Sequence, residues 1–330
     1  MKDITSLLKK TIENKDGPQK AALQKILATL KNTKVNVLLI GGTGVGKSST
    51  INALFHTSDM QMEKKAAIGE SANPETMDIY HYPLKNVVIW DTPGLGDSEE
   101  KDQQHQQKIV NKLREVDTTG RPLIDLIFLV LDGSSRDFSS AYKLIKDVVA
   151  PNLREGDKNR LLIGINKADK VMHHTFWDYN TNQPTSKLIE KLEDQSQTVR
   201  NRIADDTGFS PDVIYYAAGE IVEGELVQKP YNLARLLSFL IDHLPEKKRA
   251  AVVDDINQNS MNFDYNDEKE NYQEKIEKSF TDSLLEIASD IYAHARDIGL
   301  EIYEKADVKS ILISIGTTAV SAFFAKKVDK

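Results

Sequence analysis

The run Val37-Leu38-Leu39-Ile40-Gly41-Gly42-Thr43-Gly44-Val45-Gly46-Lys47-Ser48 opens as a buried strand and closes as the first turn of a helix. Residues 41–48 fit G-x-x-x-x-G-K-[ST] at every fixed position, in the strand–loop–helix context the pattern needs. Glycines let the backbone curl so that successive N–H groups point inward at a phosphate chain. The following helix, predicted over 47–56, adds its positive dipole end. Lys47 supplies a point charge to the terminal phosphates, and the Ser48 hydroxyl can ligate Mg²⁺. Gly42, Thr43, Gly44, Val45, Gly46 and Ser49 complete the expected cradle.

Outward from that loop, residues 34–245 alternate short apolar runs with amphipathic stretches. Strands are predicted at 35–41, 78–82, 86–91, 125–132, 160–166 and 212–217, and helices at 47–56, 100–116, 138–150, 185–206 and 230–243. This alternation predicts an α/β fold, a mostly parallel sheet of six strands between helices. Ligands of such sheets bind at the carboxyl ends of the strands.

Two further motifs fall at predicted strand ends. Asp91-Thr92-Pro93-Gly94 follows Val87-Val88-Ile89-Trp90. An aspartate there can reach Mg²⁺ through its water shell, and the Gly94 N–H can meet a γ-phosphate. Asn166-Lys167-Ala168-Asp169 ends the run Leu161 to Ile165. A fixed Asp169 carboxylate accepts two parallel hydrogen bonds from guanine, at N1–H and the exocyclic amine. Adenine has no N1 donor and would leave that carboxylate unpaired. The Lys167 stem can cover one face of the base.

With these motifs in this order, the chain resembles the Era-like branch of the translation-factor-related GTPases. GGTGVGKSS (41–49), DTPG (91–94) and NKAD (166–169) carry the resemblance, which covers about 37–245. The wording GVGKSSTINALF and WDTPGLGD is most similar to predicted GTPases of bacterial prophage and genomic-island regions. Septins and chloroplast-import GTPases are more distantly similar. The resemblance implies a GTP/GDP conformational switch with Mg²⁺. It places Ala217-Ala218 in the base-contacting loop, with alanine where the family has serine, so only a backbone contribution is inferred.

The resemblance also places the switches. Switch I is 57–77, with Thr76 where the family's threonine ligates Mg²⁺; Thr57, Ser58 and Ser71 are rivals. Switch II runs from Leu95 to about Gln107. The metal set is therefore Ser48, Thr76 and Asp91, and Lys47, Thr76 and Gly94 act on the reacting phosphate. Ras-type enzymes carry a water-orienting glutamine directly after the DxxG glycine. Here that residue is Leu95, which cannot hydrogen-bond a nucleophile. Asp97, Glu99, Gln103 and Gln104 share the loop, and the sequence does not choose among them. Gly44 stands where potassium-activated relatives carry asparagine. Slow turnover, raised by self-association or a partner, is expected.

The flanks read as helical. Residues 1–33 form an N-terminal segment, either a cap on the 34–245 domain or a partner-binding helix. Beyond Pro245, residues 246–330 form a C-terminal helical region, with a long amphipathic helix or pair of helices over 268–306. Residues 310–325 carry no charge, and at sixteen residues fall short of the roughly 20 that span a membrane. They are either buried against the helical region or contact a membrane or a second copy. The region 246–330 holds 12 Lys+Arg against 17 Asp+Glu, and the whole chain has a net charge of −7, which argues against nucleic acid as a partner. With no cysteine, disulfides and thiolate metal sites are excluded. The first residues lack an apolar signal core, and a cytoplasmic protein, peripheral at a membrane if 310–325 inserts, is expected. His173-His174 has no acid at metal-site spacing. Trp177 and Tyr179 either cover the nucleotide or anchor their own loop.

Overall fold

The computed structural model describes residues 3–55, 79–92, 99–222, 225–297 and 305–324. Its strands are β1 (Val35–Ile40), β2 (Tyr80–Pro83), β3 (Val87–Asp91), β4 (Leu126–Asp132), β5 (Leu161–Asn166), β6 (Trp177–Asp178), β7 (Gln183–Pro184), β8 (Asp212–Tyr215), β9 (Glu220–Val222) and β10 (Glu225–Gln228). Six of them form one sheet in the order β2-β3-β1-β4-β5-β8. Only the β2–β3 pair is antiparallel. β6–β7 and β9–β10 are separate two-stranded ribbons. The continuous apolar runs in β1, β4 and β5 follow from helices covering both faces, which leave no solvent side for polar residues.

Those helices are α1 (Ile4–Glu13), α2 (Gly17–Asn32), α3 (Lys47–Leu54), α4 (Glu99–Arg114), α5 (Ser139–Leu144), α6 (Ser186–Thr207), α7 (Leu233–Asp242), α8 (Glu246–Arg249), α9 (Tyr272–Asp297) and α10 (Lys305–Phe324). Successive residues of a strand point to opposite faces. Leu38 and Ile40 therefore join Ile109, Leu113, Leu144, Leu188 and Val199 of α4, α5 and α6. Val35, Val37 and Leu39 join the opposite core, built from α3, α7 and both chain ends. Gly164 lies between two aromatic rings of that second face. A Cβ there would stand 2.5 Å from Phe128 and 2.8 Å from Tyr216, so only glycine lets them close over the strand.

The terminal helices are part of this layer. Ile4, Leu8 and Leu23 of α1 and α2 share one core with Ile276, Phe280 and Leu284 of α9 and with Leu312, Ile315 and Ala319 of α10. α10 packs against α9 and α1, and a Cβ on Gly316 would stand 2.5 Å from the Thr281 hydroxyl. Its uncharged stretch is thus one buried face of a packed helix, with Ile313 among the exposed apolar side chains. Among the described residues, no helix is long and apolar enough to cross a membrane.

Two predicted elements differ. The helix expected over 138–150 is α only to Leu144, then a π turn (Ile145–Val149) and a 3-10 turn (Ala150–Asn152). Pro151 supplies no backbone N–H and ends the regular ladder. The helix expected from 230 begins at Leu233, because Asn232 sits in the left-handed region at φ 60° as its N-cap.

Candidate functional site

The phosphate loop leaves the end of β1 and enters α3 through Gly46, at φ 93°. A Cβ on Gly46 would lie 2.2 Å from the Asn166 amide nitrogen, so backbone conformation and space both require glycine here. Lys47 Nζ donates to the Gly41 and Gly42 carbonyls at 2.8 and 3.2 Å, which folds the charge back over the loop. Gly42, Val45, Gly46 and Lys47 are half-buried, and Thr43, Gly44, Ser48 and Ser49 are exposed at the mouth.

Asn166 joins this loop to the next one. Its Nδ2 donates to Val45 O at 2.9 Å, and its Oδ1 accepts the Ala218 N–H at 3.0 Å. Lys167 follows in the left-handed region at φ 60°, which turns its side chain back across the site. Its Nζ donates to Gly44 O at 2.8 Å and pairs with Asp132 Oδ2 at 2.5 Å. Asp169 is buried at the start of the following turn, and burial raises its carboxyl above the ordinary range. Ala217 exchanges both backbone hydrogen bonds with Tyr231. The N–H groups of Ala217 and Ala218 thus both have acceptors inside the protein, and both residues are buried.

Residues 36–167 match the family model described as 50S ribosome-binding GTPase. The fold is that of a P-loop GTPase.

The chain is 35% identical over 97 residues to the T-cell-specific guanine nucleotide triphosphate-binding protein 2 of Mus musculus, covering 28% of this chain and 23% of that one. It is 39% identical over 102 residues to Translocase of chloroplast 108 of Physcomitrium patens, covering 31% of this chain and 10% of that one. With the tRNA modification GTPase MnmE of Pediococcus pentosaceus it shares 29% over 174 residues, 51% of this chain and 33% of that one. The chain therefore spans a third or less of the length of these three relatives. Among solved structures, Toc33 from Arabidopsis thaliana in complex with GDP and Mg²⁺ aligns over 74% of this chain and 98% of that one, at 16% identity and a TM-score of 0.41.

Within this GTPase fold, Asp91 lies beside Leu39 in the sheet register, one residue before the end of β1. Its Oδ1 is buried and has no hydrogen-bond partner among the described residues. Burial pushes the carboxyl up to about 6, and the nearby Lys47 ammonium pulls it back. Burial in turn lowers Lys47, with Asp91 opposing. A buried carboxylate oxygen with no donor fits a hydrated cation at this corner, with Ser48 exposed on the first turn of α3. Thr76, Gly94, Leu95 and Asp97, with the rivals Thr57, Ser58 and Ser71, lie outside the described residues. Gln103 and Gln104 are exposed on α4.

The motifs did not reveal three contributors. Asp132 is one; its register position opposite Asn166 explains the pair with Lys167. Thr50 and Tyr216 are the others. Their hydroxyls meet at 2.8 Å in the core and tie α3 to the end of β8. A polar residue closing an apolar strand run at Asp132 was the available signal. Trp177 is buried edge-on against Tyr231 at 5.2 Å, anchoring its own ribbon, while Tyr179 is exposed. Among the described residues no acid–histidine cluster can hold a metal, and the exposed His173 and His174 rings lie tilted at 42° with centroids 4.0 Å apart.

Proposed function

We propose that this protein binds GTP with Mg²⁺ and hydrolyses it slowly, acting as a nucleotide-dependent switch. The bridge made by Asn166 carries this reading, because one side chain fixes the phosphate loop and the base loop at a set separation. Asp169 is the guanine-selecting carboxylate. Lys47 would hold the terminal phosphates, and Ser48, Asp91 and Thr76 would hold the cation. Bound Mg²⁺ draws negative charge from the phosphate oxygens. Lys167 covers the base plane, with Asp132 neutralising its charge.

Slow turnover follows from Leu95, which offers no hydrogen bond to water, so self-association or a partner has to complete the site. The wording of the motifs supports placing the chain in the Era-like branch. A ribosome-directed role suits the name of the matching family model, but the acidic balance of 246–330 disfavours an RNA-binding surface. The buried face of α10 supports a packing role over membrane insertion.

Calorimetry with GDP, GTP and ATP tests the reading, followed by phosphate release across a range of protein concentrations. GTP and GDP should bind at least ~100-fold tighter than ATP, and specific turnover should rise with concentration or on adding a partner. Equal capture of ATP overturns guanine selection. A fast, concentration-independent rate overturns the assisted mechanism.

A further inference from the structure

The carboxylates of Asp254 and Asp255 are both buried, and each accepts from a different segment of the chain. Asp255 accepts the N–H groups of Lys85, Asn86 and Val87 at 2.7, 2.7 and 2.8 Å, which closes the turn between β2 and β3. Asp254 accepts the Ile4 N–H at 2.8 Å and the Thr5 hydroxyl, which fixes the first turn of α1. Directly after Asp255, Ile256 bridges Phe55, and the Asn257 N–H donates to Leu54 O at 2.8 Å. The Asn257 and Asn262 amides donate to Asn52 O and Ala53 O at 2.7 and 2.9 Å. Residues 254–262 therefore hold the last turn of α3 and the β2–β3 turn at once. Between those two points runs the sequence-assigned switch I, and β3 leads on to Asp91.

We propose that residues 254–262 are a relay that passes the state of the nucleotide site to the N-terminal helix α1. The inference rests on the GTP-switch reading above and names how that site is coupled to the rest of the chain. A displacement of either anchor must carry the short 3-10 segment Ala250–Asp255 or break its hydrogen bonds. Asp254 and Asp255 are adjacent in that segment, so a shift of one carboxylate shifts the other. Burial raises both carboxyls, and the hydrogen bonds each accepts pull them back. Neither residue contributes to the phosphate or base loops. By linkage, whatever nucleotide does to α1, holding α1 does to nucleotide.

Amide hydrogen exchange of residues 4–13 in the full chain, with GDP and with a nonhydrolysable GTP analogue, tests the relay. Nucleotide affinity is measured in parallel by calorimetry. The expected result is a difference of roughly tenfold in α1 exchange between the two states. Asp254→Asn should lose that difference while still binding GDP within about twofold of the parent. Thr5→Val and Asn257→Ala, which leave the buried carboxylates in place, should each reduce it and carry the test if Asp254→Asn does not fold. Identical exchange in both states, with nucleotide bound, overturns the relay and leaves the GTP reading intact. So does a full difference surviving in Asp254→Asn or in both milder variants. Failure to bind either nucleotide overturns both.

Discussion

The Asn166 side-chain amide stands 2.9 Å from the Val45 carbonyl, so the residue that opens the base-reading motif also fixes the phosphate loop. Asn166→Ala leaves that carbonyl and the Ala218 N–H without their partner. Each unsatisfied buried group costs about 1–3 kcal/mol. GDP affinity should fall about 100-fold, with the loss similar for GTP because both loops loosen together. Gly46→Ala should lose at least as much, because its Cβ would collide with the same amide. Calorimetric titration of the two variants with GDP and GTP checks this. A loss confined to GTP would show that the bridge acts on the γ-phosphate alone.

Asp169→Asn exchanges an acceptor pair for one acceptor and one donor. Guanine then faces an N–H against its exocyclic amine, whereas xanthine offers a carbonyl at that position. GTP affinity should drop by about 1–3 kcal/mol, and xanthosine triphosphate should become the better ligand. Competition between the two nucleotides on wild type and variant measures the exchange. Unchanged preference would remove Asp169 from base recognition.

The Thr50–Tyr216 hydroxyl pair predicts an asymmetry. Thr50 Oγ1 already donates to Gly46 O at 2.8 Å, so it accepts from the Tyr216 hydroxyl. Tyr216→Phe removes only that donor and should cost about 1 kcal/mol. Thr50→Val leaves the Tyr216 hydroxyl, in a fully buried residue, with no acceptor and should cost up to about 3 kcal/mol. The double variant should lose less than the two single losses added. Urea denaturation of the three variants measures the coupling.

Asp91 sets a pH dependence of the nucleotide-free protein. Its native carboxyl titrates at about 6, above the ordinary value near ~3.9 of an unfolded chain. Between those values the native state holds a proton that the unfolded chain has released. The group's contribution to stability is therefore full below the unfolded value and fades as pH rises through about 6. Thermal melts of wild type and Asp91→Asn should show wild type gaining on the variant as pH is lowered from about 7.5 to about 5. A pH-independent difference would mean that Asp91 is not held in a desolvated pocket.

The sheet and the binding loops were legible because their signals are local. A short apolar run such as Leu126–Leu131 or Leu161–Ile165, set between amphipathic stretches, reads as a strand covered on both sides, and the motif that follows Leu161–Ile165 is pinned to the sheet's carboxyl edge. What the sequence hid depends on register and long-range contact. Asp132 meets Lys167 only because β4 and β5 align Asp132 with Asn166. Asp254 and Asp255 carry no motif, yet both are buried as acceptors for backbone N–H groups far away in sequence. Periodicity marked the apolar face of α9, and the uncharged run at 310–325 marked α10, but neither could say that Leu312 and Ile315 would close against the same core as Ile4.

That shared core dictates an order of events during synthesis. Val35, Val37 and Leu39 emerge from the ribosome early, but the side chains that finally cover their layer include Ile276, Leu284 and Leu312. Until those residues are translated, the half-built sheet exposes sticky surface and is at risk of aggregation, with long loops still to be closed. The growing chain has to be sheltered, or to wait, until α9 and α10 have been made.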